Sequence, residues 1–232
     1  STMNSYYQLQ QQLKAAEKSR ELTEANVNAT KNRQAVQMAT QADVLAAQQS
    51  LEDADAQLLS LTNQIETARK KLITMTGWKQ DATPEIQAMP EVDFDRLASF
   101  NPTADLAKAQ ENDYTLKIDT RQAANVTNGS NQKIYAQNVA NDTQQIGVAL
   151  NTAYQSVLQA KSAYDEAVLN LDVSQRSMTK ASTQYQIGSI SRLEYLQAES
   201  SFVAAQTGLE VKRLALLQAM EDYSWIVKGV RS

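Results

Sequence analysis

Residues 185–229 read YQIGSISRLEYLQAESSFVAAQTGLEVKRLALLQAMEDYSWIVKG, and this stretch decides the fold of the chain. After Gly188, large apolar side chains recur every seven positions, and a second row of mostly small side chains follows each of them by three. The large row is Tyr195, Phe202, Leu209, Leu216 and Tyr223, and the second row is Ala198, Ala205, Lys212, Ala219 and Ile226. This heptad pattern predicts a helix that buries one narrow stripe against a partner helix.

The same pattern occurs 151 residues earlier, where Val44 corresponds to Tyr195. Gly77 closes this earlier copy. The large row here is Val44, Leu51, Leu58, Ile65 and Leu72, and the second row is Ala47, Ala54, Leu61, Ala68 and Met75. Two copies of one unit indicate an internal repeat.

Composition favours long helices and argues against several classes of protein. The 232 residues include only 6 Gly and 3 Pro, so helix-breaking residues are scarce. The sequence contains no run of 18 apolar residues, so it predicts no transmembrane helix. A net charge of −4 without a basic cluster gives no reason to expect a nucleic-acid partner.

The sequence also predicts a protein that is not an enzyme and holds no cofactor or metal. Cysteine and histidine are both absent, which excludes disulfides, cysteine nucleophiles, histidine bases and the usual zinc sites. We find no spacing typical of a phosphate-binding loop or of a pair of catalytic carboxylates. The absence of cysteine is compatible with an extracytoplasmic location.

Helices separated by short breaks account for most of the chain. We predict a first helix over 4–35, a break at 37–39 and a second helix over 40–76. An aperiodic connector covers 78–100, and the clearest interruption lies at 125–131. Further helices are predicted over 93–99, over 101–126 with Asn101 as the cap and Pro102 at the first position, over 132–186, and over 191–228.

Because short connections place neighbouring helices antiparallel and side by side, the breaks at 37–39 and 187–190 predict two helical hairpins. The fold class is therefore all-α, made of long antiparallel coiled-coil hairpins. We expect a single helical domain over 1–232 built from two repeats. The first, incomplete repeat covers about 1–77, the connector covers 78–100, and the second repeat covers about 101–232.

Residues 36–47 (VQMATQADVLAA) and 187–198 (IGSISRLEYLQA) resemble the repeated unit of the TolC-type outer-membrane efflux proteins. The Asn101-Pro102 pair is similar to the start of repeats in that family. The resemblance implies a helical protomer of a trimeric tube, without the family's β-barrel strands. Those strands would lie between 126 and 132, where the sequence has only a turn.

The same resemblance implies a periplasmic or outer-membrane-associated location and two partners: further copies of the chain in a trimer, and a periplasmic adaptor of an efflux or type I secretion system. The membrane would be reached only through the strands missing here. The expected adaptor-docking and entrance residues are at the hairpin tips: Val36, Gln37, Met38, Ala39, Tyr185, Ile187, Gly188, Ser189 and Ile190. Two tip residues depart from the family: Gln37 stands where the family usually has glycine, and Ile190 stands where some members have an arginine used in entrance gating.

The Ser-Thr-Met start is expected to come from processing or design. The missing strands leave three alternatives open: a truncated chain, a chain with the barrel removed by design, or a naturally soluble relative. The last corresponds to a second function, a coiled-coil scaffold or interaction module.

Several residues have a structural interpretation beside the functional one. Gly188 fits a turn that needs positive φ as well as an adaptor contact. Asp43 and Glu194, three residues after Thr40 and Ser191, fit helix capping better than a selectivity ring. The acidic group Glu52, Asp53 and Asp55 fits a solvated helix face better than a cation site. The seam tyrosines Tyr164, Tyr185, Tyr195 and Tyr223 fit packing better than a ligand cage.

Overall fold

The computed structural model describes residues 2–79, 82, 84 and 86–230. These residues form helices and no strand, which confirms the all-α prediction. The helices are α1 (Thr2–Ala35), α2 (Gln41–Thr76), α3 (Phe94–Ala98), α4 (Pro102–Asn112), α5 (Tyr114–Asn125), α6 (Gly129–Gln186) and α7 (Arg192–Val227). The predicted connector includes positions 80, 81, 83 and 85, which lie outside the described residues.

The helices pack into two compact units. The first unit consists of Ser1–Ala88 and Asp165–Leu214, and the second of Met89–Tyr164 and Ala215–Ser232. The long helices α6 and α7 contribute residues to both units. The division predicted from the sequence concerns repeats rather than packing, and it stays a prediction.

Four helix ends share a Schellman-type motif, in which the residue just past the helix adopts positive φ. These residues are Gln37 (φ 60°), Gly77 (73°), Gly188 (72°) and Gly229 (86°). After α6, the N–H of Gly188 donates to the carbonyl of Tyr185 at 3.0 Å, and the N–H of Ser189 donates to that of Gln184 at 2.8 Å. Gly188 is therefore a turn glycine, as its structural interpretation predicts.

Gln37 takes the same backbone conformation without being glycine. Its N–H donates to the carbonyl of Gln34 at 2.9 Å, and that of Met38 donates to Arg33 at 2.7 Å. A side chain at positive φ costs roughly 1–2 kcal/mol. The departure from glycine at Gln37 thus leaves the shape of the first tip unchanged.

Capping boxes begin α2 and α7, as predicted. The N–H of Asp43 donates to Thr40 Oγ1 at 3.2 Å, while the Thr40 N–H donates to Asp43 Oδ2 at 2.7 Å. At α7 the N–H of Glu194 donates to Ser191 Oγ at 3.2 Å, and the Ser191 N–H donates to Glu194 Oε2 at 2.8 Å. Both acids are therefore helix caps.

Acid is expected to weaken both helix starts. The backbone N–H of Thr40 lowers the pKa of Asp43, and that of Ser191 lowers the pKa of Glu194. Since each folded pKa lies below its unfolded value of about 4, the stabilisation is complete above that value and is lost as the pH falls through the folded pKa. Thermal unfolding followed by circular dichroism should give a lower Tm for D43A/E194A at pH 7. The difference should shrink towards about pH 3; a constant difference would contradict this cause.

One predicted helix, 101–126, is wrong because it is two helices, α4 and α5. Asp113 between them is extended, with φ −62° and ψ 123°, and its side chain accepts the N–H of Leu116 at 2.9 Å to cap α5. The Asn112 side chain donates to the carbonyl of Val227 at 2.9 Å, and Gly229 lies directly against the Asn112 carbonyl. The break therefore forms where the end of α7 packs on this segment.

Neighbouring helices in the first unit follow the order α2, α1, α7, α6. Arg20 of α1 contacts Asp55 of α2 at 2.7 Å. On its other side α1 meets α7, where Lys18 Nζ lies 3.1 Å from a Glu199 carboxylate oxygen. The Tyr185 ring at the end of α6 stacks on that of Tyr195 in α7, with centroids 4.9 Å apart. Both hairpin pairings are thus antiparallel, as predicted.

Burial distinguishes the edge helices of this layer from the central ones. On α2, and on the part of α6 in the first unit, the residues shielded from solvent mostly follow the predicted seam. The central helix α7 buries more than the single narrow stripe that the heptads predict. That prediction is therefore wrong, because the buried surface of α7 is wider than one seam. The additional buried residues in the first unit are Leu196, Val203, Thr207 and Leu214. They are needed because α7 packs against α1 as well as α6.

A separate apolar core holds the second unit together. It joins Val92 of the connector and Ala109 of α4 to α6 and α7, whose buried residues are Ile146, Leu150, Val157, Leu216, Met220 and Tyr223. The connector also pairs with α7 at its surface, where Arg96 donates to Glu221 and to Ser224, both at 2.6 Å.

Tyr223 is the largest fully buried side chain of this core. Its ring stacks on Phe100 with centroids 4.4 Å apart, and its hydroxyl donates to Asp105 Oδ2 at 2.7 Å. Burial, reinforced by the Asp105 carboxylate, raises the pKa of Tyr223 far above its usual range. The packing interpretation of this seam tyrosine is therefore confirmed.

Candidate docking site at the hairpin tips

Both hairpin tips lie in the first unit and at the same end of it. Since α1 runs antiparallel to α7, the last turns of α1 lie beside the first turns of α7. A groove of about 640 Å³ separates these turns, with Asn28 and Asn32 on one wall and Ser191 and Arg192 on the other. The structure thus places the two segments that the sequence predicts as docking sites, 36–39 and 187–190, at the same end of the first unit.

Large apolar side chains protrude from both tips. Val36 is 64% exposed, Met38 is 70% exposed, and Ile187 on the second tip is 73% exposed. Side chains of this kind are usually buried, and burying one against a partner contributes roughly 1.5–3 kcal/mol. The protruding residues are therefore suited to contact with another protein.

The remaining predicted tip residues support this surface. Gln37, Gly188 and Ser189 are exposed and form the two tight turns, whereas Ala39 and Ile190 are partly buried. Tyr185 is exposed in part, but its ring stacks on Tyr195. We therefore separate the tip residues into protruding side chains, turn-forming residues and supporting residues, a distinction that the sequence motif alone does not make.

Backbone geometry holds the two tips in the same shape. In each, two backbone hydrogen bonds close the preceding helix, and a capping box opens the next one. These local bonds hold the apolar side chains in place, so little conformational freedom remains to be lost when a partner binds. The two tips therefore share one rigid backbone shape.

Two members of the acidic group on α2, Asp53 and Asp55, have protein partners. Asp55 accepts from Arg20, and Asp53 accepts from the Gln49 side chain at 3.0 Å. Within the described ranges, no cluster of side chains is suited to holding a metal ion. None of the helices in that part of the chain has both the length and the apolar character needed to cross a membrane.

Solved structures of three outer-membrane proteins share this fold. CusC, studied for folding and transmembrane channel formation, has a TM-score of 0.71 and 16% identity, over 98% of this chain and 75% of its own. The outer membrane protein VceC of Vibrio cholerae has a TM-score of 0.60 and 14% identity, over 94% of this chain and 67% of the VceC chain. The Campylobacter jejuni outer membrane channel CmeC has a TM-score of 0.58 and 14% identity, over 98% of this chain and 61% of the CmeC chain.

No protein-family model matches the sequence, and no curated protein matches it significantly. At 14–16% identity, the three structures establish the fold alone. The chain has the fold of the helical part of TolC-family outer-membrane channels, which confirms the resemblance predicted from its repeats. Nearly all of this chain matches CusC, over three-quarters of the CusC chain.

Proposed function

We propose that the chain is a non-enzymatic envelope protein that forms the helical part of an efflux or type I secretion channel. Its hairpins assemble with further copies, three by resemblance, into a tube outside the cytoplasm. The tips dock a periplasmic adaptor. The observation that carries this proposal is the pair of similar tips, at one end of the first unit, with Val36, Met38 and Ile187 protruding.

Two further features support docking rather than catalysis. The protruding residues of the tips are aliphatic or thioether side chains, which provide contact area but no acid, base or nucleophile. The groove beside them is lined by two asparagines, two alanines, two leucines and Ser191, with Glu21, Glu24 and Arg192 as its charged members. Apolar anchors beside a polar rim are typical of protein–protein contacts.

Binding to purified adaptors tests this function. Each periplasmic adaptor of the source cell's efflux and type I secretion systems is immobilised, and binding of the unaltered chain is measured by biolayer interferometry. We expect one adaptor to bind, and M38D/I187D to weaken that binding at least tenfold because charges replace two apolar anchors.

Tyr114→Asp provides the matched control, because Tyr114 lies in α5 away from the tip sequences and is as exposed as Ile187, at 73%. This variant should bind like the unaltered chain. Equal weakening by Y114D and M38D/I187D would contradict docking at the tips. A folded chain that binds none of the adaptors would favour the coiled-coil scaffold instead.

A further inference from the structure

The two hairpin tips end at different heights along the helices of the first unit. The repeat aligns Met38 of the first tip with Ser189 of the second, so these residues mark equivalent points of the two tips. Lys18 of α1 lies 20 residues from Met38, whereas Glu199 of α7, which it contacts at 3.1 Å, lies 10 residues from Ser189. At a rise of 1.5 Å per residue, the first tip projects about 15 Å beyond the second.

A second contact and the groove beside the tips give the same direction of offset. Lys14 Nζ donates to Gln206 Oε1 at 2.9 Å, although these residues lie 24 and 17 residues from the two marker residues. This difference of seven residues corresponds to about 10 Å. Asn28 and Ser191 lie on opposite walls of the groove, at 10 and 2 residues from the same markers. Three places along the contact of α1 with α7 therefore agree that the first tip projects.

The lean of the side chains does not account for this offset. Side chains on a helix tilt towards its N-terminus. Lys14 and Lys18 on α1 therefore tilt away from the first tip, whereas Glu199 and Gln206 on α7 tilt towards the second tip. Both tilts make the offset larger than the residue counts alone indicate. The first tip thus projects by at least about 10–15 Å.

The offset leaves a step beside the second tip. The floor of the step is the second tip itself, on which Ile187 is 73% exposed. The wall is the end of α1, where Asn32 is exposed and lines the groove on the side that faces α7. Asn32 lies only about 9 Å below Met38, so it belongs to the part of α1 that projects. The height of the step is close to the diameter of an α-helix with its side chains, about 10–12 Å.

We propose that one α-helix of the adaptor occupies this step, over the second tip and against the projecting end of α1. The inference rests on the proposed function, in which the adaptor is the partner of the tips. Ile187 provides apolar contact area on the floor, and the Asn32 amide can both donate and accept hydrogen bonds on the wall. The first tip reaches past this helix to a second part of the adaptor. Recognition therefore depends on the difference in height between the tips as well as on their side chains.

Shortening the hairpins by one heptad tests whether the step is recognised. Deletion of 12–18 together with 58–64 lowers the first tip by about 10 Å and brings the tips nearly level. Deletion of 172–178 together with 200–206 lowers the second tip equally and deepens the step. Each shortened chain should bind the adaptor about tenfold more weakly in biolayer interferometry, because the two contacts can no longer form together. The chain with all four deletions has the original step, and its affinity should return to within about threefold of the unaltered chain.

A substitution tests the same step without changing the length of a helix. In N32W a large side chain fills the step, so the adaptor should bind about tenfold more weakly. K31W is the matched control because Lys31 is exposed on another side of α1, and this variant should bind like the unaltered chain. Circular dichroism establishes that each variant keeps its helices.

The outcomes separate this inference from the proposed function. Suppose that the unaltered chain binds an adaptor and that M38D/I187D weakens the binding. Equal binding by N32W and K31W, or unchanged binding after one hairpin is shortened, would then overturn the step and leave docking at the tips intact. A folded chain that binds none of the adaptors would overturn both.

Discussion

Replacing Tyr223 with alanine is expected to lower the free energy of unfolding of the second unit by about 3–5 kcal/mol, the range for removing a large buried aromatic side chain. The ring is enclosed by the core of that unit and stacks on Phe100. The substitution removes this packing, leaves a cavity and deprives the Asp105 carboxylate of a donor at 2.7 Å. A change of this size is a large fraction of the stability of an ordinary domain.

The two tryptophans allow this effect to be assigned to one unit. Trp78 lies in the first unit and Trp225 in the second, so a W78F background makes Trp225 the only tryptophan reporter. Urea unfolding followed by its fluorescence should show the full loss for Y223A. In Y223F the ring stays and only the hydroxyl bond is removed, so the loss should be about 1 kcal/mol. A Y223A midpoint equal to that of Y223F would contradict the importance of the ring.

Replacing Gly229 with alanine is expected to destabilise the second unit by about 2–4 kcal/mol. A methyl group at positive φ costs roughly 1–2 kcal/mol by itself. In addition, a Cβ on Gly229 would overlap the backbone carbonyl of Asn112, which cannot move without disturbing the break between α4 and α5. The two effects act together and affect the packing of the α7 end on this segment.

Gly77 offers a matched control because it has the same conformation without the close approach. Its φ is 73°, and a Cβ there would meet nothing within 4 Å. G77A, followed through Trp78 in a W225F background, should therefore cost only about 1–2 kcal/mol. G229A, followed through Trp225 in the W78F background, should cost more. Equal losses for the two variants would show that the contact between Gly229 and Asn112 does not contribute.

The sequence predicts local features of this fold well. Heptads, breaks and caps give the bounds of α1, α2, α6 and α7 to within a few residues, because Thr40, Gly77 and Ser191 act on the backbone next to them. At the break between α4 and α5, Asp113 caps α5 locally, but contacts distant in sequence lie against the break as well. These contacts come from Gly229 and Val227, which are more than 100 residues away in the sequence and which no local pattern predicts.

The same distinction applies to the candidate site. The repeat motif identifies both tips. Their placement at the same end of the first unit depends on the contact of α1 with α7, which includes the ion pair of Lys18 with Glu199. Gln37 departs from the family's glycine, yet the local hydrogen bonds of the turn accompany the same positive φ. A heptad seam also describes one partner only, so it does not predict which helices are central and which are edges.

Light scattering coupled to size-exclusion chromatography, over a range of loading concentrations, tests most directly whether this helical layer forms a tube. One chain has a mass of 25.7 kDa. We predict that the measured mass rises with concentration towards three times that value. A mass of one chain at every concentration would contradict assembly of the chain into a tube.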